Sequence, residues 1–399
     1  MVETPTGIIV NLPARCPVCN SNSLSEFLFR KQVPIHQNLL MHDQASAIAA
    51  PRGDLALAVC EACGFIFNRA FDPARPMYGE EYENTQGCSP SFNQHMNDLV
   101  REMVVNRNVR DSHVVEVGCG NGLFLRKLVS YEGAGNRGSG FDPSYRGNES
   151  EFDGRLRFVT RYYDFESAGV PADVVVCRHV IEHVPRPLDL LHNIKKALAH
   201  ARGARVFFET PCVEWILRNQ VIWDFFYEHC SYFSKSSLTT AFEVAGFEVK
   251  SVTHVFAGQY LWLEATLPRL TPAGARPAEG IATLAKVFAR AEEDLMHAWK
   301  KKIQSLAQAG KVALWGAGAK GVTFANMIDS DRRWIDSIVD LNPSKQGHFV
   351  PGTGHPIISH RDLITRGVTS VVLMNPNYLE ENLALLKAIK GDIQLVEKL

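Results

Sequence analysis

Residues 113–128 read HVVEVGCGNGLFLRKL, and this stretch decides the fold. Val114, Val115 and Val117 form an apolar run around Glu116; Gly118, Gly120 and Gly122 follow, and an amphipathic helical pattern begins after them. Glycines at a strand-to-helix turn permit backbone angles closed to other residues and let a ligand approach the chain closely. A dinucleotide fingerprint spaces its glycines GxGxxG. Here the third glycine falls one residue earlier, giving ExGxGxG.

Outward from this turn, apolar runs at 113–117, 138–142, 173–177, 204–209 and 251–256 read as strands with helices between them. That alternation predicts an α/β domain whose parallel sheet is covered on both faces. The segment GSGFDPS places Asp142 at the end of the second strand, where a carboxylate can accept hydrogen bonds from two ribose hydroxyls. The third strand, ADVVVC, runs into RHVIEHVPRP, which carries Arg178 and His179.

Further along, LTPAGARPAEG at 270–280 reads as a linker, and helical spacing is predicted over 281–308. GKVALWGAGAKG then opens a second strand–turn–helix unit, extended by apolar runs at 336–339 and 369–374. Gly316, Gly318 and Gly321 have true GxGxxG spacing, with Asp340 at the end of the next strand. Alone, that is a Rossmann fingerprint, which keeps a nicotinamide-dependent oxidoreductase as an alternative.

The front of the chain, residues 1–70, reads as irregular and holds two CxxC turns, Cys16 with Cys19 and Cys60 with Cys63. Two such knuckles supply four thiolates, the tetrahedral set zinc prefers, with no open position for catalysis. A thioredoxin-like redox pair would sit inside a βαβ pattern, which this region lacks. The domains are therefore placed at 1–75 (zinc-binding), 76–270 (cofactor-binding) and 271–399 (a second Rossmann-like unit).

Composition bounds the rest. The chain has 399 residues and a net charge of -1, which argues against a partner such as nucleic acid bound through a general basic surface. The N-terminus has no basic region followed by a long apolar run, and no apolar stretch is long enough to span a bilayer. A cytoplasmic protein is expected, with most of its nine cysteines as thiols or metal ligands. Oligomeric state is not legible.

The ExGxGxG turn resembles motif I of the class I methyltransferases, where the loop faces the methionine part of S-adenosylmethionine. YEHCSYF at 227–233 resembles the YHEHLSYFS-type signature of the three-domain sugar C-methyltransferases, and GAGAKG, DLNPSKQG and NPNY follow in the same order as in that family. The resemblance covers nearly the whole chain. It implies a zinc-binding front domain, a class I methyltransferase middle domain and a Rossmann-like rear domain that encloses a nucleotide-linked keto-deoxysugar. It further implies Glu116, Gly118, Gly120, Gly122 and Asp142 as cofactor contacts, with Arg178 and His179 beside them.

By the same resemblance His229 is the base that removes a proton next to a carbonyl, a role suited to imidazole. Glu228 orients it or binds a sugar hydroxyl, and Tyr227 and Tyr232 donate to the developing enolate oxygen. Lys320 and Lys345 meet a diphosphate, and Tyr82, Asn84, Asn375 and Tyr378 contact substrate or the domain interface. Tyr78 and His95 are lid candidates; Glu182 and His183 read as scaffold or pocket wall. The chain departs from the family pattern in three places: the tyrosine two before the glutamate falls on Phe226, the histidine between them on Tyr227, and an aromatic of the front segment at or beside Asn84, with Tyr78 and Tyr82 close by. An O- or N-methyltransferase, and a module that binds S-adenosylmethionine or a nucleotide sugar without turnover, remain open alternatives.

Overall fold

A computed structural model describes residues 13–79, 81–199, 201, 203–267 and 280–399. The linker expected at 270–280 lies, but for Gly280, outside the described residues, as does the N-terminal stretch 1–12. Among the described residues three sheets form, of four, eight and five strands.

The front region is not irregular. Leu24–Pro34, Arg52–Cys60 and Ile66–Asn68 pair antiparallel, and Ser231–Tyr232 from far along the chain completes the sheet, with Ser231 opposite Phe67. The first strand hides its period because register shifts between Glu26 and Leu28 and between Arg30 and Val33 break the alternation. The second strand does alternate, burying Leu55, Leu57 and Val59.

The middle sheet is ordered Glu248–Val255, Tyr260–Thr266, Arg205–Pro211, Val174–Arg178, His113–Val117, Arg137–Phe141, Leu156–Val159, Ser150–Glu151. The strands from Arg205–Pro211 through Leu156–Val159 run parallel, and Tyr260–Thr266 lies antiparallel on their flank. His113–Val117 sits where the strand order reverses, and ligands of open α/β sheets bind beyond the carboxyl ends of the strands at such a point. The rear sheet is parallel throughout, with Lys311–Trp315 at its centre between Ile335–Val339 and Val368–Leu373.

The three units share their interiors. Cys60, Cys63, Phe65 and Phe67 pack into the same apolar cluster as Phe208, Phe233 and Leu238 of the middle domain. The helix Ile281–Ala309 lays Ile281, Ala285 and Phe288 against Leu55, Leu57 and Phe225, so it joins the rear domain to both others. Trp223 meets Phe324 and Trp299 edge-on at 5.1 and 5.5 Å between ring centroids, sealing middle against rear. Among the described residues no helix is long and apolar enough to cross a membrane.

Candidate active site

The turn after His113–Val117 is built as its glycines require. Gly118 has φ +69°, and a Cβ there would run into Val180. Gly120 has φ +53° and open space where a side chain would stand, a gap that a ligand can enter. The loop is tied to the second strand: Gly120 N–H donates to Asp142 Oδ2 at 2.8 Å, and Ser144 donates to Asp142 Oδ1 from its N–H and its hydroxyl, at 2.8 and 2.6 Å. Glu116 is buried beneath the turn, and its Oε2 has no hydrogen-bond partner. Burial pushes its pKa up to about 8; the Arg178 charge pulls against this and the Asp142 carboxylate adds to it. An orphaned acid, an open glycine and a second carboxylate fit a cofactor that brings cationic and hydroxyl donors.

Behind the turn lies a buried ion network. Arg178 Nε donates to Glu209 Oε2 at 2.8 Å, and His95 Nε2 lies 2.5 Å from Glu209 Oε1. His179 Nε2 is 3.3 Å from Glu209 Oε2, an ion-pair separation without hydrogen-bond alignment, and its Nδ1 is 3.6 Å from Glu182. Burial alone would neutralise His179, but Glu209 and Glu182 more than offset it and raise its pKa to about 9. The residue stands at φ +54°, strained backbone held in place by this network. Arg178 is thus committed to Glu209 and also stacks over Phe124, 4.4 Å from the ring centroid.

In front of the network opens a cavity of about 260 Å³ whose walls come from all three domains. His229 and His183 meet edge-on there, ring centroids 4.7 Å apart, and Tyr78 Oη lies 3.0 Å from His183 Nδ1. Burial, followed by the charges of His183, His179 and Lys320, holds His229 well below the usual imidazole range, so its ring is neutral. Glu228 is fully buried, paired with His36 Nδ1 at 2.8 Å and accepting the Gln37 N–H at 3.1 Å. Burial, then the Glu228 charge, keeps the Tyr82 hydroxyl protonated.

The rear wall is the second glycine turn. Asp340 Oδ2 accepts the Ala317 N–H at 2.9 Å, the same loop-to-strand tie that Asp142 makes in the middle domain. Lys345 is buried and donates to Asn38 Oδ1 and to Ala317 O, both at 3.0 Å; Lys320 is ion-paired with Asp224. Asn375 and Gln259 exchange amide hydrogen bonds at 2.7 and 3.1 Å across the domain boundary.

His179, Glu228, His229, Tyr82, Asn84, Lys320 and Asn375 line the cavity. Two of the expected hydroxyls do not. Tyr227 Oη accepts the Asp72 N–H at 2.9 Å, with its ring against Phe71 and Gly53. Tyr232 Oη spends its proton on Phe226 O and accepts Phe226 N–H, both at 3.0 Å, so it has no proton for a substrate oxygen. Sequence reading missed His36, Asn38, Asp224 and Gln259, none of which stands in a motif, and Tyr260, which lies on a strand not foreseen.

At the front, Cys16 Sγ is 3.7 Å from Cys63 Sγ, and Cys19 Sγ is 3.5 Å from Cys60 Sγ. Thiolates at about 2.3 Å from a tetrahedral ion stand roughly 3.8 Å apart, so all four can bind one ion with little movement.

Comparison with known proteins bears on this arrangement. Residues 91–252 match a methyltransferase domain family, and residues 276–394 match the C-methyltransferase C-terminal domain family. The C-methyltransferase NovU of Streptomyces niveus is 27% identical over 390 residues, covering 92% of this chain and 90% of that protein. The chain thus carries a methyltransferase domain followed by a C-methyltransferase C-terminal domain, and is similar over nearly its whole length to a C-methyltransferase. It is an S-adenosylmethionine-dependent methyltransferase, and the open turn at Gly120 belongs to its methyltransferase domain. More partial likeness links the chain to the tRNA U34 carboxymethyltransferase of Campylobacter concisus (28% identical, over 27% of this chain and 38% of that one). The ubiquinone biosynthesis O-methyltransferase of Pseudoalteromonas translucida is 29% identical over 29% of this chain and 51% of its own. Both matches are too short to span the front and rear domains as well.

Proposed function

We propose that the protein methylates a carbon next to a carbonyl in a nucleotide-linked keto-deoxysugar, with His229 as the base that removes the proton. The observation that carries this reading is His229 itself. Its neutral ring lies in the wall of the cavity that Gly316, Gly318 and Asp340 also line, with no hydrogen bond to either nitrogen among the described residues. S-adenosylmethionine, bound over Gly118, Gly120 and Gly122 with Glu116 and Asp142 as acceptors, supplies an electrophilic methyl group. His229 takes the proton from carbon, and the enolate carbon so formed would bond the methyl as the methyl–sulfur bond breaks, the sulfur leaving as the neutral thioether of S-adenosylhomocysteine. Glu228, oriented by His36 and the Gln37 N–H, accepts a sugar hydroxyl and fixes the carbonyl side of the ring. Tyr82, Asn84, Lys320 and Asn375 hold the rest of the substrate, the nucleotide lying toward the rear turn. Zinc on Cys16, Cys19, Cys60 and Cys63 is structural.

Labelled S-adenosylmethionine and 4-keto-deoxysugar nucleotides, incubated in deuterium oxide with the protein and with His229→Ala, test this. Methyl on carbon, solvent deuterium at that carbon, and loss of both by about 10²–10⁴-fold in the variant are expected. Methyl transfer to oxygen or nitrogen, little affected by His229→Ala, would replace the reading.

A further inference from the structure

Glu182 and His183 are not needed for the chemistry above, yet their side chains converge on the base. Glu182, His183 and His229 each present one ligand atom, and the three atoms lie within 4.8 Å of one another. Glu182 is 1% exposed; its Oε2 accepts the Thr210 hydroxyl at 3.1 Å, and its Oε1 is buried without a hydrogen-bond partner. His183 uses Nδ1 on Tyr78, leaving Nε2. His229 touches His183, Phe226 and Tyr232 by its ring faces and edges, with both nitrogens unbonded among the described residues.

We propose that Glu182, His183 and His229 form a transition-metal site of one carboxylate and two imidazoles in the cavity wall, and that an ion bound there silences the enzyme. The donor set suits zinc, nickel, cobalt or iron(II) better than magnesium or calcium, because imidazole is a borderline-soft ligand. Thr210 and Tyr78 provide the outer hydrogen bonds that orient carboxylate and imidazole ligands. The cavity leaves the remaining positions to water. Two cations face the site, His179 beside Glu182 and Lys320 near His229, and both oppose a second positive charge. The ion is therefore held less tightly than at four thiolates, and the site fills from excess metal. The silencing rests on the reading of His229 as base: the metal takes the lone pair that proton removal requires.

The test uses the full chain with its four-cysteine site already filled by one equivalent of zinc, titrated with cobalt(II). Cobalt bound by nitrogen and oxygen shows visible d–d bands without the near-ultraviolet charge transfer that thiolates give. A second equivalent with that spectrum is expected, with affinity lowered at least 10-fold in Glu182→Gln and in His183→Asn. Thermal unfolding of both variants verifies that they fold. Turnover of the parent protein should fall in step with the bands. If no second equivalent binds, or both variants bind it as the parent does, the metal site is wrong and the base reading stands on its own deuterium test. If cobalt binds in a variant-sensitive way and turnover is unchanged, the site is real and His229 is not the base.

Discussion

His36 and Glu228 lie 192 residues apart in sequence, and a 2.8 Å hydrogen bond joins them inside the cavity wall. The tautomer follows from the neighbours. The Met77 N–H donates to His36 Nε2 at 3.0 Å, so that nitrogen carries no proton and Nδ1–H donates to the Glu228 carboxylate. A front-domain side chain thus fixes a residue that lines the cavity beside His229.

Removing that donor should cost both stability and rate. His36→Ala leaves a buried carboxylate short of one partner, which typically costs about 1–3 kcal/mol. Urea unfolding should record that loss, and substrate KM should rise if Glu228 holds a sugar hydroxyl. His36→Asn, which keeps a donor, should recover part of both. Unchanged kinetics in His36→Ala would mean that Glu228 is structural.

Glu116 makes stability depend on pH with a definite sign. Its carboxyl titrates at 4.5 in the ordinary case and at about 8 in the folded protein. Between those values the native state keeps a proton that the unfolded chain has released, so stability falls as pH rises through that window. Above about pH 8 both forms are ionised and this contribution is flat. Burial sets the upward shift; Arg178 and the Leu125 backbone pull against it, and Asp142 adds to it. Melting temperatures from pH 5 to 8.5 should decline in the parent protein and decline less in Glu116→Gln; parallel curves would remove Glu116 as the source.

The four-cysteine site should hold more than its own turns. Chelation, or Cys60→Ser, is expected to unfold the front sheet and abolish turnover together, since structural zinc sites contribute folding free energy directly. Circular dichroism and methyl transfer measured on the same sample should fall in parallel. Turnover that survives complete metal removal counts against this coupling.

Asn375 and Gln259 form the amide pair between middle and rear domains. Either residue changed to leucine leaves a buried amide unpaired, at a cost of about 1–3 kcal/mol. The double variant should cost less than the sum, with a coupling of about 0.5–3 kcal/mol. Additive effects would show that the pair does not hold the domains together.

The parts that were legible in the sequence are those where one short segment sets its own geometry. ExGxGxG, GAGAKG and the paired CxxC turns each announce a loop because glycine angles or metal spacing are local constraints. Asp142 and Asp340 were legible for the same reason, one strand later. Tyr232 was misread because its hydroxyl is satisfied by Phe226, a turn contact that no pattern of residue types reveals. His36 was missed because its value lies in meeting Glu228 across two domains. The front sheet was missed because bulges interrupt its first strand and its last strand comes from residues 231–232.

That last strand has a consequence for synthesis. As the chain leaves the ribosome, the cysteine turns and the first three strands emerge early, but their sheet stays one strand short until Ser231 and Tyr232 arrive. Through that interval the edge strand Ile66–Asn68 offers unpaired backbone groups, the kind of template that recruits foreign strands. A nascent protein of this design is most exposed to misassembly while its middle third is being made. The two residues that end that exposure follow directly after His229 and Cys230, so the edge is covered just after His229 is made and before the rear wall of the cavity exists.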